Sequence, residues 1–143
     1  MKKYIFAPLA ACLFGFGTSI LAEQTAMDDI VFGMGCFWGA EKHMSELPGV
    51  LDVESGFAGG DAARVGYQDV LAAEKKSRAD ARQRNHAEVV RVRFDPARVS
   101  LEDVLIHFWE NHDPTQGNRQ GNDIGSNYRS AVYYKNAAQK EAA

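Results

Sequence analysis

The chain has 143 residues, of which 45% are apolar and 24% are charged, so it is long enough to form one globular domain around a buried core. Its formal net charge is −3, and without a basic excess the composition gives no support for nucleic-acid binding. No internal repeat or change of composition indicates a second domain.

The first 22 residues have the layout of a secretory signal peptide. A positive start at Lys2 and Lys3 is followed by an uncharged and mostly apolar run from Tyr4 to Leu21. Ala22 then precedes the first acidic residue of the chain. This pattern predicts export, to the periplasm, with cleavage after Ala22. A membrane anchor is the alternative, although the run barely reaches spanning length and contains glycine and proline.

The two cysteines are divided between this leader and the remaining chain. Leu9 to Cys12 resembles a bacterial lipoprotein box, which gives lipid attachment at Cys12 as a further alternative, although apolar residues continue beyond it. Cleavage after Ala22 removes Cys12 and leaves Cys36 without a partner for an internal disulfide. A lone cysteine in an exported protein is a reactive thiol, a partner for another chain, or a buried inert residue.

Beyond the leader, the predicted elements alternate between strands and helices. Apolar runs and alternation predict four strands, at Asp28 to Phe32, Val50 to Phe57, Ala87 to Phe94 and Ser130 to Tyr134. Helix formers and end signals predict two helices, at Trp38 to Leu47 and from Ser100-Leu101-Glu102-Asp103 onward, where the spacing also fits a capping box.

The order β-α-β-β-α-β is that of the ferredoxin-like, split βαβ arrangement. It predicts an α+β fold in which an antiparallel sheet carries both helices on one face. Ala72 to Arg84 interrupts this pattern, because it is rich in alanine and basic residues and has little apolar periodicity. This segment fits either a solvated helix or a mobile loop.

The residue types around Cys36 indicate a thiol site. Cys36 follows a predicted strand and Gly33-Met34-Gly35, and it precedes a predicted helix. The first amides of a helix are unpaired, and their partial positive charge favours a thiolate. Phe37 and Trp38 follow directly and are either the walls of an apolar pocket at the thiol or ordinary core residues. No grouping of histidine and cysteine has metal-ligand spacing, so we expect no metal.

Several blocks of sequence, in the same order, resemble the type A peptide methionine sulfoxide reductases. The blocks are Gly35-Cys36-Phe37-Trp38-Gly39-Ala40-Glu41, His86 to Val90 with Phe94-Asp95-Pro96, Phe108 to Thr115, Asn118 to Asp123, and Tyr128 to Tyr133. The resemblance spans Asp28 to about Gln139, apart from residues 61–85. It implies that residues 23–143 form an oxidoreductase domain that reduces methionine S-sulfoxide, free or in proteins, to methionine.

The resemblance also implies roles for individual residues. Cys36 would attack the sulfoxide sulfur and become a sulfenic acid, while Glu88 would give a proton to the departing oxygen. Without the resemblance, Glu88 would be interpreted as a surface acid on a strand. The implied substrate-binding residues are Phe37, Trp38, Tyr67, Asp123 and Tyr128. No bound cofactor is implied, and an external thiol, from a thioredoxin-like protein or dithiothreitol, would reduce the sulfenic acid.

Two departures from the family pattern leave alternatives open. The stretch between Tyr67 and His86 is longer than usual, and Leu71 to Asn85 does not resemble the family's short link. The family pattern also continues beyond Gln139 with a further active-site tyrosine and often resolving cysteines, so we expect the C-terminal part of the domain to be missing. The alternatives are a truncated, inactive relative that only binds sulfoxide or peptide, and a small binding module with a passive cysteine.

Overall fold

A computed structural model describes residues 26–79 and 83–143. The predicted signal peptide and Cys12 lie outside the described residues. The elements are β1 (Asp28–Gly33), α1 (Phe37–Ser45), β2 (Val50–Ala58), α2 (Tyr67–Ala79), β3 (Ala87–Phe94), α3 (Leu101–Glu110), β4 (Arg119–Gln120), β5 (Asp123–Ile124), β6 (Ala131–Tyr133) and α4 (Ala137–Ala142), with 3₁₀ turns at Pro114–Gln116 and Ser126–Tyr128. Among the helices of these residues, none combines the length and the apolar character needed to cross a membrane.

Four strands form an antiparallel sheet in the order β2-β3-β1-β6. In this order β3 lies between β1 and β2, and β1 is hydrogen-bonded to a neighbour on each side. The register places Ile30 opposite Val92 and Phe32 opposite Val90. Strands β4 and β5 form a separate two-stranded ribbon. The prediction of an α+β fold with an antiparallel sheet is confirmed.

The main core lies between one face of this sheet and helices α1 and α3. Alternate residues of a strand share a face, and those of β1 and β3 pack with the buried sides of both helices. Phe32 stacks on Phe108 with ring centroids 4.4 Å apart, which joins β1 to α3. The buried members of the cluster are Ile30, Phe32, Met34, Ala40, Met44, Val90, Val92, Phe94, Val99, Val104, Leu105 and Phe108. This packing fixes the start of α1 relative to the sheet.

Helix α3 begins at the capping box that the sequence predicts. The Ser100 hydroxyl accepts a hydrogen bond from the backbone N–H of Asp103, and the Asp103 carboxylate accepts one from the backbone N–H of Ser100. These reciprocal bonds satisfy two groups that a helix start otherwise leaves unpaired. They therefore define where the amphipathic face of α3 begins.

Residues 71–79, the first part of the segment that departs from the family pattern, lie in a helix rather than in a mobile loop. Helix α2 begins at Tyr67, and the Asp69 carboxylate accepts a 2.8 Å hydrogen bond from the backbone N–H of Gly66. Val70 is fully buried, so the helix is anchored on one side. Although α2 separates β2 from β3 in sequence, the two strands still pair from Val50 with Phe94 to Ala58 with Ala87.

Helix α4 packs beside the start of β1. The buried Gln139 side chain donates a 2.8 Å hydrogen bond to the backbone carbonyl of Asp29. The Lys135 ammonium lies 2.7 Å from the carboxylates of both Asp28 and Asp29. The two carboxylates raise the pKa of Lys135. The Gln139 hydrogen bond joins the last described helix to the first strand of the sheet.

Candidate active site

Cys36 lies three residues after the end of β1 and is the N-cap residue of α1. Its backbone carbonyl accepts the first helical hydrogen bond, from the N–H of Ala40 at 3.1 Å, while its half-buried side chain makes no capping bond. Gly35 has a φ of +103°, and a Cβ atom there would lie 2.8 Å from Cγ of Gln120. The tight turn before Cys36 therefore requires glycine at position 35.

Glu88 lies on β3, with its carboxyl group buried beside the start of α1. The residue is 1% exposed, so the interpretation of Glu88 as a surface acid is wrong. The backbone N–H of Phe37 donates to Oε2 of Glu88 at 3.2 Å, and the Asn127 side-chain amide donates to Oε1 at 3.2 Å. Because Phe37 follows Cys36 in the chain, the first of these bonds places the carboxyl group next to the thiol-bearing turn.

The surroundings of Glu88 favour its protonated form. Burial raises the pKa of Glu88 above its ordinary value, and the negative charge of Asp123 raises it further. The hydrogen bonds from Phe37 and Asn127 stabilise the carboxylate and oppose this increase, but burial dominates. A carboxyl group with a raised pKa holds its proton closer to neutral pH, as a general acid requires.

The Tyr128 hydroxyl belongs to the same electrostatic environment. Burial raises the pKa of Tyr128, and the charges of Glu88, Tyr67 and Asp123 raise it further. The phenol therefore remains a hydrogen-bond donor at neutral pH. Asp123 is exposed on β5, yet its charge acts on both Glu88 and Tyr128, which places it at the rim of the site.

Aromatic side chains cluster around Phe37, the residue that follows Cys36. The centroid of the Phe37 ring lies 5.5 Å from that of Phe57, 6.1 Å from that of Trp38 and 6.5 Å from that of Tyr67. Phe37 is half buried and packs against the main core, whereas Trp38 is 74% exposed. Trp38 is therefore not an ordinary core residue. Its indole contacts Phe37 and is otherwise an exposed apolar surface two residues after Cys36.

The predicted substrate-binding residues converge on this region. Tyr67 begins α2 and lies against Phe37, so the longer segment does not displace this tyrosine from the site. The structure brings together the predicted residues Cys36, Phe37, Trp38, Tyr67, Glu88, Asp123 and Tyr128. The arrangement combines a thiol, a buried carboxyl group whose pKa is raised, two phenol side chains and exposed aromatic surface.

Asn127 is a site residue that the sequence analysis missed. It is 1% exposed and supplies one of the two hydrogen bonds to the Glu88 carboxyl group. Its position directly before Tyr128 was the one available signal. The sequence pattern gave no indication that the amide is buried, because the contact with Glu88 crosses 39 positions of the chain.

His112, in the block from Phe108 to Thr115, makes structural contacts with both of its ring nitrogens. His112 bonds to the Phe108 carbonyl at 2.8 Å through Nδ1 and to the Ser130 hydroxyl at 2.7 Å through Nε2. Burial lowers the pKa of His112 and favours the neutral ring. Within the part of the chain that the structure describes, no three His, Cys, Asp or Glu side chains group closely enough to hold a metal ion.

Comparisons with known proteins identify a family and several relatives of this chain. The family model for peptide methionine sulfoxide reductase matches residues 28–143. The chain is 51% identical over 113 residues to the peptide methionine sulfoxide reductase MsrA of Salinispora arenicola, with coverage of 79% of this chain and 47% of that protein. It is 52% identical over 113 residues to the mitochondrial peptide methionine sulfoxide reductase of Mus musculus, with coverage of 79% and 45%.

The fold has solved relatives as well. Methionine sulfoxide reductase A of Corynebacterium diphtheriae superimposes with a TM-score of 0.70 at 38% sequence identity. The superposition covers 84% of this chain and 52% of the C. diphtheriae chain. The chain spans about half the length of the curated relatives it matches. The family model begins at the first residue of β1 and extends through α4, so it includes every element that contributes to the site. The chain belongs to the peptide methionine sulfoxide reductase family.

Proposed function

We propose that this protein reduces methionine S-sulfoxide, free or in proteins, to methionine, with Cys36 as the nucleophile. The observation that carries the proposal is the hydrogen bond from the Phe37 N–H to the buried Glu88 carboxyl group, one residue from Cys36. Cleavage of a sulfoxide S–O bond needs an electron pair for sulfur and a proton for oxygen. The hydrogen bond to Phe37 holds the Glu88 carboxyl group beside the helical turn that begins at Cys36, which supports Glu88 as the proton donor.

In this step one oxygen atom passes from the sulfoxide to Cys36, and two electrons pass from Cys36 to the sulfoxide. The Cys36 thiolate sulfur forms a bond to the sulfoxide sulfur, and Glu88 protonates the sulfoxide oxygen and then recovers the proton that the thiol lost. The oxygen then bonds to the Cys36 sulfur while the sulfoxide S–O bond and the new sulfur–sulfur bond break. Cys36 is oxidised by two electrons to a sulfenic acid, the first stage of thiol oxidation, and the sulfoxide is reduced by two electrons and leaves as methionine.

The remaining site residues position the substrate. Phe37 and Trp38 offer apolar surface to the S-methyl group. The Tyr67 and Tyr128 hydroxyls donate hydrogen bonds to the sulfoxide oxygen, and the raised pKa of Tyr128 keeps its proton in place. Asp123 supports the site from the exposed strand β5, where its negative charge contributes to the raised pKa of Glu88.

An external thiol returns Cys36 to its reduced state. The sulfenic acid needs two electrons. Attack by an incoming thiolate on the Cys36 sulfur would release the oxygen as water and form a mixed disulfide, and a second thiol would then displace Cys36 as a free thiol and leave the reductant as its own disulfide. We assign this role to a thioredoxin-like protein, for which dithiothreitol substitutes in the test tube. The half-exposed position of Cys36 beside the exposed Trp38 leaves the sulfur accessible to such a partner.

The protein is proposed to act after export to the periplasm. Residues 1–22 carry the signal-peptide pattern on which this rests. We expect the exported chain to begin at Glu23, as read from the intact mass of protein purified from a periplasmic fraction. A lipidated chain that begins at Cys12 would indicate anchoring instead, and a full-length chain confined to the cytoplasm would contradict export.

A single-turnover experiment tests the proposed chemistry. The chain from Glu23 to Ala143 is incubated with the S epimer of methionine sulfoxide and no added thiol. We expect a mass increase of one oxygen on Cys36 and about one methionine per chain. The R epimer serves as a matched substrate control and should give neither. Binding of the S epimer without methionine or oxidation would favour the alternative of an inactive relative.

A further inference from the structure

A carboxylate of α2 contacts the 3₁₀ turn that carries two residues of the site. We infer that Glu74 is a positioning residue, which holds the Ser126–Tyr128 turn in the place where the Asn127 amide donates to Glu88. The inference rests on the proposed function, in which Glu88 is the proton donor. Glu74 lies in the segment that departs from the family pattern, so the inference gives that segment a role.

Glu74 makes a double contact with the first residue of this turn. Its Oε2 atom accepts a hydrogen bond from the backbone N–H of Ser126 at 2.9 Å, and a second, short one from the Ser126 hydroxyl. The same oxygen lies 3.4 Å from the side-chain amide nitrogen of Asn85. Hydrogen bonds to a charged acceptor are stronger than neutral ones, so this oxygen fixes both the backbone and the side chain of Ser126.

The turn is shaped to admit this carboxylate. A Cβ atom on Gly125 would lie 3.3 Å from Cδ of Glu74 and 2.5 Å from Oδ1 of Asn127. The absence of a side chain at Gly125 therefore allows the Glu74 carboxylate and the Asn127 amide to approach the same stretch of backbone. Any larger residue would push the turn away from α2 or away from Glu88.

A second set of contacts holds the turn from its other side. Nη1 of Arg129 donates to the Ser126 carbonyl at 2.7 Å and to the Asn85 carbonyl at 3.1 Å. The buried Asn85 side chain in turn donates to the Val70 carbonyl of α2 at 3.0 Å. Ser126 is thus held between two residues that are both linked to α2. Glu74 belongs to that helix, and Arg129 reaches it through Asn85.

The path from Glu74 to the site is short. Ser126 is followed directly by Asn127, whose amide donates to the Glu88 carboxyl group, and then by Tyr128. A shift of Ser126 moves both residues, because a three-residue turn has little freedom to absorb it. Misplacement of catalytic groups by about 1 Å can reduce a rate by about a hundredfold.

The test compares Glu74→Ala with Glu74→Gln, whose amide oxygen can still accept from Ser126. The matched control is Glu110→Ala, which removes an exposed glutamate of α3. The pKa of Glu88 is measured by carbon NMR of the side-chain carboxyl groups, with Glu88→Gln to assign the signal. The rate of methionine formation without added thiol is measured in parallel.

We expect Glu74→Ala to raise the pKa of Glu88, because the Asn127 hydrogen bond that stabilises the carboxylate is weakened. Its rate of methionine formation should fall by about tenfold to a hundredfold. Glu74→Gln and Glu110→Ala should stay close to the unmodified protein in both measurements. Rescue by glutamine distinguishes a hydrogen-bonding role from a general effect of α2 on the fold.

An unchanged Glu88 titration in Glu74→Ala would overturn the inference, as would equal changes in Glu74→Ala and Glu74→Gln. If the unmodified protein forms no methionine while the titration still moves, the proposed function fails and the positioning role stands. If Glu74→Ala does not fold, Ser126→Ala removes one of the two bonds and should move the titration in the same direction. No movement in Ser126→Ala would then contradict the role.

Discussion

Cys36→Ser is expected to form no methionine from the S epimer of methionine sulfoxide and to gain no oxygen. A serine hydroxyl is a weak nucleophile at neutral pH without an activating base, and its oxygen cannot form a sulfenic acid. The substitution exchanges one atom at the N-cap of α1, where serine is a favoured residue, so the fold should be retained. The measurement is the single-turnover assay with detection of methionine and of the intact protein mass.

The control for this variant is its unfolding midpoint in urea, which should match that of the unmodified protein or exceed it slightly. Iodoacetamide should modify the unmodified chain at Cys36 and leave the variant unlabelled. Methionine formation by Cys36→Ser above the background without protein would show that another group performs the reaction.

Glu88→Gln is expected to slow methionine formation by about 10²-fold to 10⁴-fold, the range typical of a lost general acid. Glutamine has nearly the same shape and can still accept one hydrogen bond from Phe37 or Asn127, but it has no acidic proton to give. Cys36 should remain reactive toward iodoacetamide in this variant. Glu54→Gln is the matched control, since it changes an exposed glutamate of β2 that pairs with Arg91.

The pH dependence of the unmodified protein follows from the same carboxyl group. Only protonated Glu88 can donate, so its contribution to the rate should be lost as the pH rises through its raised pKa. The rate of methionine formation should therefore fall with rising pH in Glu54→Gln, and this fall should be absent in Glu88→Gln. A fall with the same midpoint in Glu88→Gln would show that a different residue donates the proton to the sulfoxide oxygen.

Glu88 should also make the free energy of unfolding depend on pH. Its pKa is higher in the folded chain than the ordinary value of 4.5, so the folded state binds the proton more tightly. The resulting stabilisation is fully present below 4.5 and is lost as the pH rises through the folded pKa. Urea unfolding at several pH values should show this loss in the unmodified protein and not in Glu88→Gln.

The elements that the sequence predicted best are those with local signals. Val90, Val92 and Phe94 alternate with polar neighbours on β3, and the capping box at Ser100 marks the start of α3. Helix α2 had no comparable signal, because Val70 is its one fully buried residue among those whose side chains the structure describes. Its other anchors are polar contacts with Asn85 and Ser126, which lie far along the chain.

In the site as well, features set by neighbouring residues were predicted, whereas contacts between residues far apart in the chain were not. The glycines before Cys36 and the helix after it are visible in sequence, and the structure places Cys36 at that helix start. Glu88 was assigned only by resemblance, although Ala87 to Val90 are all buried without alternation, which is the pattern of a strand covered on both faces. The contacts of Asn127 and Glu74 depend on tertiary packing, so no local pattern predicted them.

The central place of β1 in the sheet has a consequence for motion. β1 is paired with β3 on one side and with β6 on the other, and Cys36 follows it within three residues. Amides of such a strand exchange with solvent only through large cooperative openings, whereas an exposed ring such as that of Trp38 reorients on its own. We therefore expect amide exchange to be slow in β1 and the Trp38 indole to reorient freely, so that the backbone before Cys36 stays fixed while the neighbouring ring adapts.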